Sequence, residues 1–450
     1  MMPFARNPGR PHCIDLFGAT SLVVANMLGT GVFTSLGYQL LDLPPGLPIL
    51  LVWLGGGFLA LLGATCYGEI ASRIPRNGGE YRFLSEIYHP AIGFMAGFTS
   101  ATVGFAAPVA MTALALAAYL RGAYPDIDES TTASGALIMI TAVMTFGPRI
   151  ALAFQKAATV LKLTIVGGFI AAGCAFGELR HVSFAVGAVQ WDQTLLAGVA
   201  VNLVWVSFAY SGWNASAYLA GEIADPQRTL SRSLLIGTTI VTISYLALNA
   251  TFLMAAPAET LRGVKEIGLV SARFLLGAPA SRAVGVTISL LLVSSISSLM
   301  IAGPRVIQEI LREVPCLRLL GGAGDSYPVR ATLFLMALSL LLIHTVDFAP
   351  LLYYTAFTLS LFTVLTVAGV FVLRARLGPP GGYRAFGYPV TPALFVGANA
   401  AIGVFFACRH PSESLAGLST ALAGLALYGL SDQRRNRRLR ADADFKDSGR

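Results

Sequence analysis

Apolar windows near residues 14–41, 48–72, 91–120, 133–148, 155–177, 194–220, 231–256, 283–303, 328–346, 349–374, 390–408 and 413–431 alternate with short polar joints along this chain. Most run to about 20 residues or more, the length an α-helix needs to cross hydrocarbon, whereas a transmembrane strand needs only about 10. With no water in the bilayer core, each window must satisfy its own backbone groups, which a helix does within the segment. The expected fold is an all-α membrane protein of twelve transmembrane helices. Composition agrees: 55% of the residues are hydrophobic, 12% are charged and the mean hydropathy is +0.69, outside the range of soluble domains.

Basic residues set the orientation. With the N-terminus inside, 24 of the 31 lysines and arginines fall on the inner side, which predicts cytoplasmic N- and C-termini. The net charge of +8 then calls for no nucleic-acid partner. Arg434, Arg435, Arg437, Arg438 and Arg440 read as a topology anchor against anionic lipid rather than an RNA-binding arm. The expected division is a cytoplasmic segment over 1–13, one transmembrane domain over 14–431 and a basic cytoplasmic tail over 432–450. The first apolar run is long and lacks a small-residue cleavage site, so it is expected to remain as a span. Cys13, Cys66, Cys174, Cys316 and Cys408 are scattered without metal-type spacing and are expected as free thiols, with no metal and no cofactor.

Gly29, Thr30 and Gly31 fall in the middle of the first span. Two glycines flanking one residue let the backbone leave helical geometry and uncover N–H and C=O groups. Such a break survives in hydrocarbon where it lines a cavity or meets a polar ligand. Close helix packing through small residues is the other reading of the same glycines.

Further along, Lys162 lies six residues beyond Lys156 in the fifth span, roughly 9 Å deeper at about 1.5 Å per residue. A lysine at that depth is a functional candidate, with snorkelling to the inner headgroups as the alternative. Glu69 is read as a boundary carboxylate paired with Arg73 one turn on. The sixth span holds a second break, Phe208-Ala-Tyr-Ser-Gly-Trp-Asn214. Spans one and six hold the same place in two successive five-span blocks, repeat one about 14–177 and repeat two about 194–374, with extra helices over about 390–431. Interrupted helices at matching places in two halves point to the binding site of a secondary transporter. The eighth span carries Ser294, Ser295, Ser297 and Ser298 and is expected to end at Gly303-Pro304-Arg305, with one or two of the hydroxyls facing a solute. No acidic residue is expected at mid-membrane beside the breaks.

Met27-Leu-Gly-Thr-Gly-Val-Phe33 resembles the first-helix motif of the amino acid, polyamine and organocation superfamily, and Phe208 to Asn214 with Glu222 and Asp225-Pro226 resembles its sixth-helix motif. The likeness is in particular to bacterial amino acid permeases and L-type amino acid transporters. Arg76-Asn-Gly-Gly-Glu-Tyr81, Gly303-Pro-Arg305 and Tyr383-Arg-Ala-Phe-Gly-Tyr-Pro389 are similar to further family segments. The resemblance implies a five-plus-five inverted repeat with broken helices one and six, two extra helices, alternating access and a bacterial plasma membrane. It implies that the substrate carboxylate meets the amides of Thr30 and Gly31, and that the ammonium meets carbonyls of Met27, Phe208 and Ala209 with Ser211 beside them. Phe208 acts as a gate in this reading, and Gly29 and Gly212 complete the site. In many sodium-independent members a lysine seven residues after a glutamine takes the place of a sodium ion, and Gln155 to Lys162 has that spacing, so Lys162 is the expected coupling residue, tying the first helix to the fifth, with titration as a proton site an open alternative.

Two departures stand out. Ser211 replaces the glycine usual in L-type members, and the outer loop from Arg121 to Thr132 lacks the cysteine that bonds a heavy subunit, so no disulfide-linked partner is expected. The expected function is sodium-independent transport of amino acids, neutral ones in particular, coupled to protons or by exchange. Amines or polyamines are the alternative cargo. A membrane enzyme would need clustered His, Asp, Glu or Cys at depth, but His12, His89, His181, His344 and His410 fall at loops or span ends. A channel would need a pore-lining ring instead of two broken helices.

Overall fold

The computed structural model describes residues 14–178, 192–313, 328–346 and 348–448. Expectations for residues 1–13, Cys316 and His181 lie outside the described residues, as do those for the side chains of the arginine tail. Each of the twelve expected spans carries a helix. Helices α1 (Leu16–Met27) and α2 (Thr30–Asp42) share the first, and α3 (Leu47–Arg73) forms the second. A short helix, α4 (Glu80–Ile87), precedes α5 (Pro90–Thr99), which continues through a π turn at Ser100–Gly104 into α6 (Ala106–Ala123) as the third. Then come α7 (Glu129–Thr145), α8 (Pro148–Phe176) and α9 (Gln193–Ala209), the last followed by a 3-10 turn at Ala215–Leu219. The remaining helices are α10 (Pro226–Ala255), the single-turn α11 (Ala258–Leu261), α12 (Ile267–Glu313), α13 (Val329–Thr345), α14 (Phe348–Leu377), α15 (Val390–Arg409) and α16 (Pro411–Ser448). Among the described residues 9 helical stretches are long and apolar enough to cross a membrane, and Gln193–Ala209 and Val329–Thr345 are shorter apolar helices at expected spans.

Local chemistry sets several of these ends. Asp15 caps α1 by accepting from the Gly18 amide at 2.8 Å and also holds the Lys156 ammonium at 2.8 Å. Asp128 caps α7 through the Thr131 amide at 2.7 Å, and Glu129 pairs with Arg121 at 3.1 Å. Proline occupies the first turn of α3, α5, α8 and α10, where its missing N–H costs nothing.

The eighth span corrects the sequence reading. It does not stop at Gly303-Pro304-Arg305: α12 runs on to Glu313 with Pro304 inside it. The buried stripe of Val306, Ile307, Ile310 and Leu311 continues past the proline, and packing of that stripe holds the helix together where the ring removes one backbone bond. At its other end α12 contains a sharp break at Gly277, with φ of 82°, so a short helical piece from Ile267 precedes the long apolar part.

Helix ends group as the expected topology requires. At one end Ile14 and Ile223 form a parallel bridge, Arg73 reaches the Gly378 carbonyl at 2.9 Å, and Arg82 pairs with Glu309 at 3.2 Å. At the other end the Gly263 amide donates to the Gly37 carbonyl at 2.8 Å, and the Glu178 amide donates to the Met254 carbonyl at 2.9 Å. The most extensive helix pairings are α3 with α10 and α6 with α12, which are spans two with seven and three with eight. Those are the second and third spans of each of the two five-span blocks expected from the sequence.

Candidate functional site

Helix α1 ends in the middle of the bundle because Leu28 takes a ψ of 67° and Gly29 a ψ of −146°, neither of them helical. Helix α2 starts afresh at Thr30, and no side chain caps Gly29. The first amides of any helix lack an internal partner, so the Thr30 and Gly31 N–H groups present the positive end of α2. Both residues line a cavity of about 140 Å³ together with Met27, Gly29, Phe208, Ala209, Ser211 and Gly212. All eight substrate-site residues expected from the sequence thus line one cavity.

Close approach of the two breaks explains one glycine. A Cβ at Gly31 would sit 2.5 Å from the Ala209 Cα, so the first and second breaks cross at contact distance. Gly31 therefore serves packing as well as the cavity, and both readings of the glycine pair hold at this position. Gly212 has φ of 96°, in the left-handed region that favours glycine, and its chain turns beside Asn26 there.

Lys162 does not snorkel. It is fully buried, and its Nζ donates to the Leu28 carbonyl at 2.6 Å, to Ser295 Oγ at 2.7 Å and to the Ala25 carbonyl at 3.3 Å. A cation at the C-terminal end of α1 matches the negative end of that helix and satisfies carbonyls that the break leaves open. Ser295 also donates to the Leu28 carbonyl at 3.0 Å and lines the cavity, so Lys162 stands behind the wall with Ser295 between. Gln155 holds Thr159 at 3.1 Å and accepts from Ser297, and Ser298 reaches the Leu22 carbonyl at 3.1 Å. Of the four serines only Ser295 lines the cavity.

The expected ammonium acceptors are partly engaged. Tyr245, fully buried on α10, places its hydroxyl against the Met27 carbonyl and 2.8 Å from the Ala209 carbonyl. A hydroxyl has one proton, so one of these two oxygens is without it at any moment. The Phe208 carbonyl accepts from the Ser211 amide at 2.9 Å. Tyr245 was not legible as a site residue, because a single tyrosine in an apolar span carries no spacing signal.

Glu80 is an acidic cavity residue that the sequence reading did not include in the site. Its carboxylate is 1% exposed, lines the cavity and accepts from Tyr67 at 2.5 Å, Thr363 at 3.1 Å, Asn214 at 3.2 Å and Tyr218 at 3.2 Å. The turn before it explains its place. Gly78 and Gly79 have φ of 114° and 52°, and they turn the chain so that Gly79 and the start of α4 lie against Tyr218 of the second break. Burial raises the Glu80 carboxyl above the usual range, against the pull of the four neutral donors.

At the basic end, Glu69 accepts from Arg374 at 2.6 Å, Arg73 at 3.2 Å and the Ala385 amide at 2.8 Å, which extends the expected pair into a network. Glu222 meets Arg305 at 3.3 Å and Asn77 at 3.0 Å. These contacts tie helix ends together on that side. Cys66, Cys174 and Cys408 are free thiols.

Comparison with known proteins finds a family model described as amino acid permease matching residues 14–422. The chain is 26% identical over 370 residues to the b(0,+)-type amino acid transporter 1 of Mus musculus, covering 80% of this chain and 76% of that protein. It is 26% identical over 429 residues to the large neutral amino acids transporter small subunit 2 of Homo sapiens, covering 93% of this chain and 80% of that protein.

Proposed function

Because this chain belongs to the amino acid permease family, we propose that it is a sodium-independent secondary carrier for neutral amino acids that works by alternating access across the membrane. The observation that carries the reading is the pair of uncapped amides at Thr30 and Gly31 on the cavity wall, facing a second break, with a fixed ammonium behind them. A helix N-terminus favours the substrate carboxylate. The Met27, Phe208 and Ala209 carbonyls lie beside it for the ammonium, and Ser211 and Phe208 bound the side-chain space. Lys162 replaces a sodium ion as the cation that holds the broken first helix against α8. Neutral side chains fit best, because the Glu80 oxygens already accept four neutral donors and offer no open charge to a cationic one.

In this reading the basic end is cytoplasmic, with both chain termini inside, as the positive-inside bias supports. The protein has no disulfide-linked heavy subunit, since no cysteine lies between Arg121 and Thr132. A band on non-reducing gels that a reductant removes would contradict that point. The test of the function is uptake of a panel of radiolabelled amino acids into proteoliposomes, with and without an inward proton gradient and with and without internal amino acid. Saturable uptake of neutral amino acids that ignores sodium is expected. No uptake of any amino acid under any condition would overturn the proposal.

A further inference from the structure

Glu80 is an ionisable group on the cavity that substrate binding leaves unused. Tyr67 on α3, Asn214 and Tyr218 at the second break, and Thr363 on α14 face its carboxyl, and all four are neutral donors. Among the described residues no lysine, arginine or histidine pairs with it. The charged groups of adjoining elements are engaged with each other: Arg82 with Glu309, Arg76 with Glu86, and Arg305 with Glu222. A buried carboxylate with no cation is costly, and taking up a proton relieves that cost.

We propose that Glu80 is the proton-carrying group of this carrier, loaded from the cavity while the basic end is shut and unloaded to water on the basic side when that end opens. The inference rests on the carrier reading above. Two of the four donors, Asn214 and Tyr218, belong to the broken sixth span, so Glu80 is enclosed only while that segment is seated against α4. Burial favours the neutral acid in the closed arrangement. Parting of the break from α4 admits water, and its solvation of the carboxylate outweighs the loss of two donors. On loading, hydronium in the cavity gives its proton to a Glu80 oxygen and becomes water. On unloading, water on the basic side takes the proton and becomes hydronium. A hydroxyl of Tyr67, Tyr218 or Thr363 turns from donor to acceptor when the acid carries its own proton.

The direct test is infrared difference spectroscopy of the full-length protein in liposomes between acidic and neutral buffer, with no solute added. A protonated-carboxyl band that titrates in the wild type and is missing from Glu80→Gln is expected. The same band at equal intensity in that variant overturns the proposal. Tyr67→Phe removes a donor that favours the carboxylate, so the midpoint of the band moves to higher pH, and an unmoved midpoint also overturns it. This second variant keeps the test decisive if Glu80→Gln does not fold. In transport, the ratio of amino acid uptake with a proton gradient to uptake without one exceeds unity in the wild type and falls to unity in Glu80→Gln. A wild type with no gradient stimulation, or a variant that keeps it, contradicts the proposal. A wild type that moves no amino acid at all removes the carrier reading, while the infrared titration still decides whether Glu80 takes the proton.

Discussion

The Lys162 Nζ lies 2.6 Å from the Leu28 carbonyl oxygen, so a lysine on the fifth span holds the carbonyl end of the broken first span. The same nitrogen reaches Ser295 on the eighth span at 2.7 Å. Three spans meet at one atom directly behind the cavity. A mobile cation at this place would have to come and go with the substrate; a lysine does not.

Lys162→Ala removes that nitrogen and leaves the Leu28 and Ala25 carbonyls without it. A charge-assisted hydrogen bond contributes about 1.5–3 kcal/mol, so uptake is expected to fall by roughly ten- to a hundredfold in protein that still elutes as a single folded species. Wild-type rates from this variant would show that the lysine is dispensable.

Gly31→Ala is expected to fail for a steric reason. Its Cβ would meet the Ala209 backbone at 2.5 Å, and backbone cannot swing aside as a side chain can. Overpacking of this kind costs about 1–3 kcal/mol, which should appear as a lower melting temperature together with lost uptake. Gly167→Ala on α8, where nothing lies within 4 Å, is the control and should leave both unchanged.

Tyr245→Phe leaves the ring and removes the hydroxyl shared by Met27 and Ala209. Losing a buried donor costs about 1–3 kcal/mol, and here the effect lands on the crossing of the two breaks. A thermal shift together with a changed KM is the expected outcome. A change in stability alone, with transport kinetics intact, would confine Tyr245 to packing.

Glu69→Gln tests the network at the basic end. The wild-type carboxylate holds Arg374 at 2.6 Å and Arg73 at 3.2 Å while buried, and removal of one partner from a buried pair costs about 3–5 kcal/mol. The variant should melt well below the wild type. An unchanged melting temperature would mean that the arginines find water there.

How much of this was legible depends on the kind of signal each residue leaves. The spans follow from apolar length, and the break at Gly29 follows from glycine where hydrocarbon forbids loose backbone. Lys162 stood out because charge at that depth is rare. Glu80 was hidden because the sequence shows the Gly78-Gly79 turn and the short amphipathic stretch after it, which read as a re-entrant or interfacial loop, but not that α4 packs its first residue against the second break. Pro304 misled for the opposite reason: the local rule ends a helix there, but the buried stripe through Leu311 overrides it. The piece of α12 before Gly277 is too short to read as a span, and Tyr245 shows its role only once α10 lies against both breaks.

The most direct test of the central claim asks whether the cavity needs a carboxylate. Uptake of a radiolabelled neutral amino acid into proteoliposomes would be measured against two competitors, the same amino acid unlabelled and the matching amine without its carboxyl group. If the Thr30 and Gly31 amides bind the carboxylate, the amino acid competes and the amine does not. Equal competition by the amine would contradict the account and leave the α2 terminus without a part in recognition.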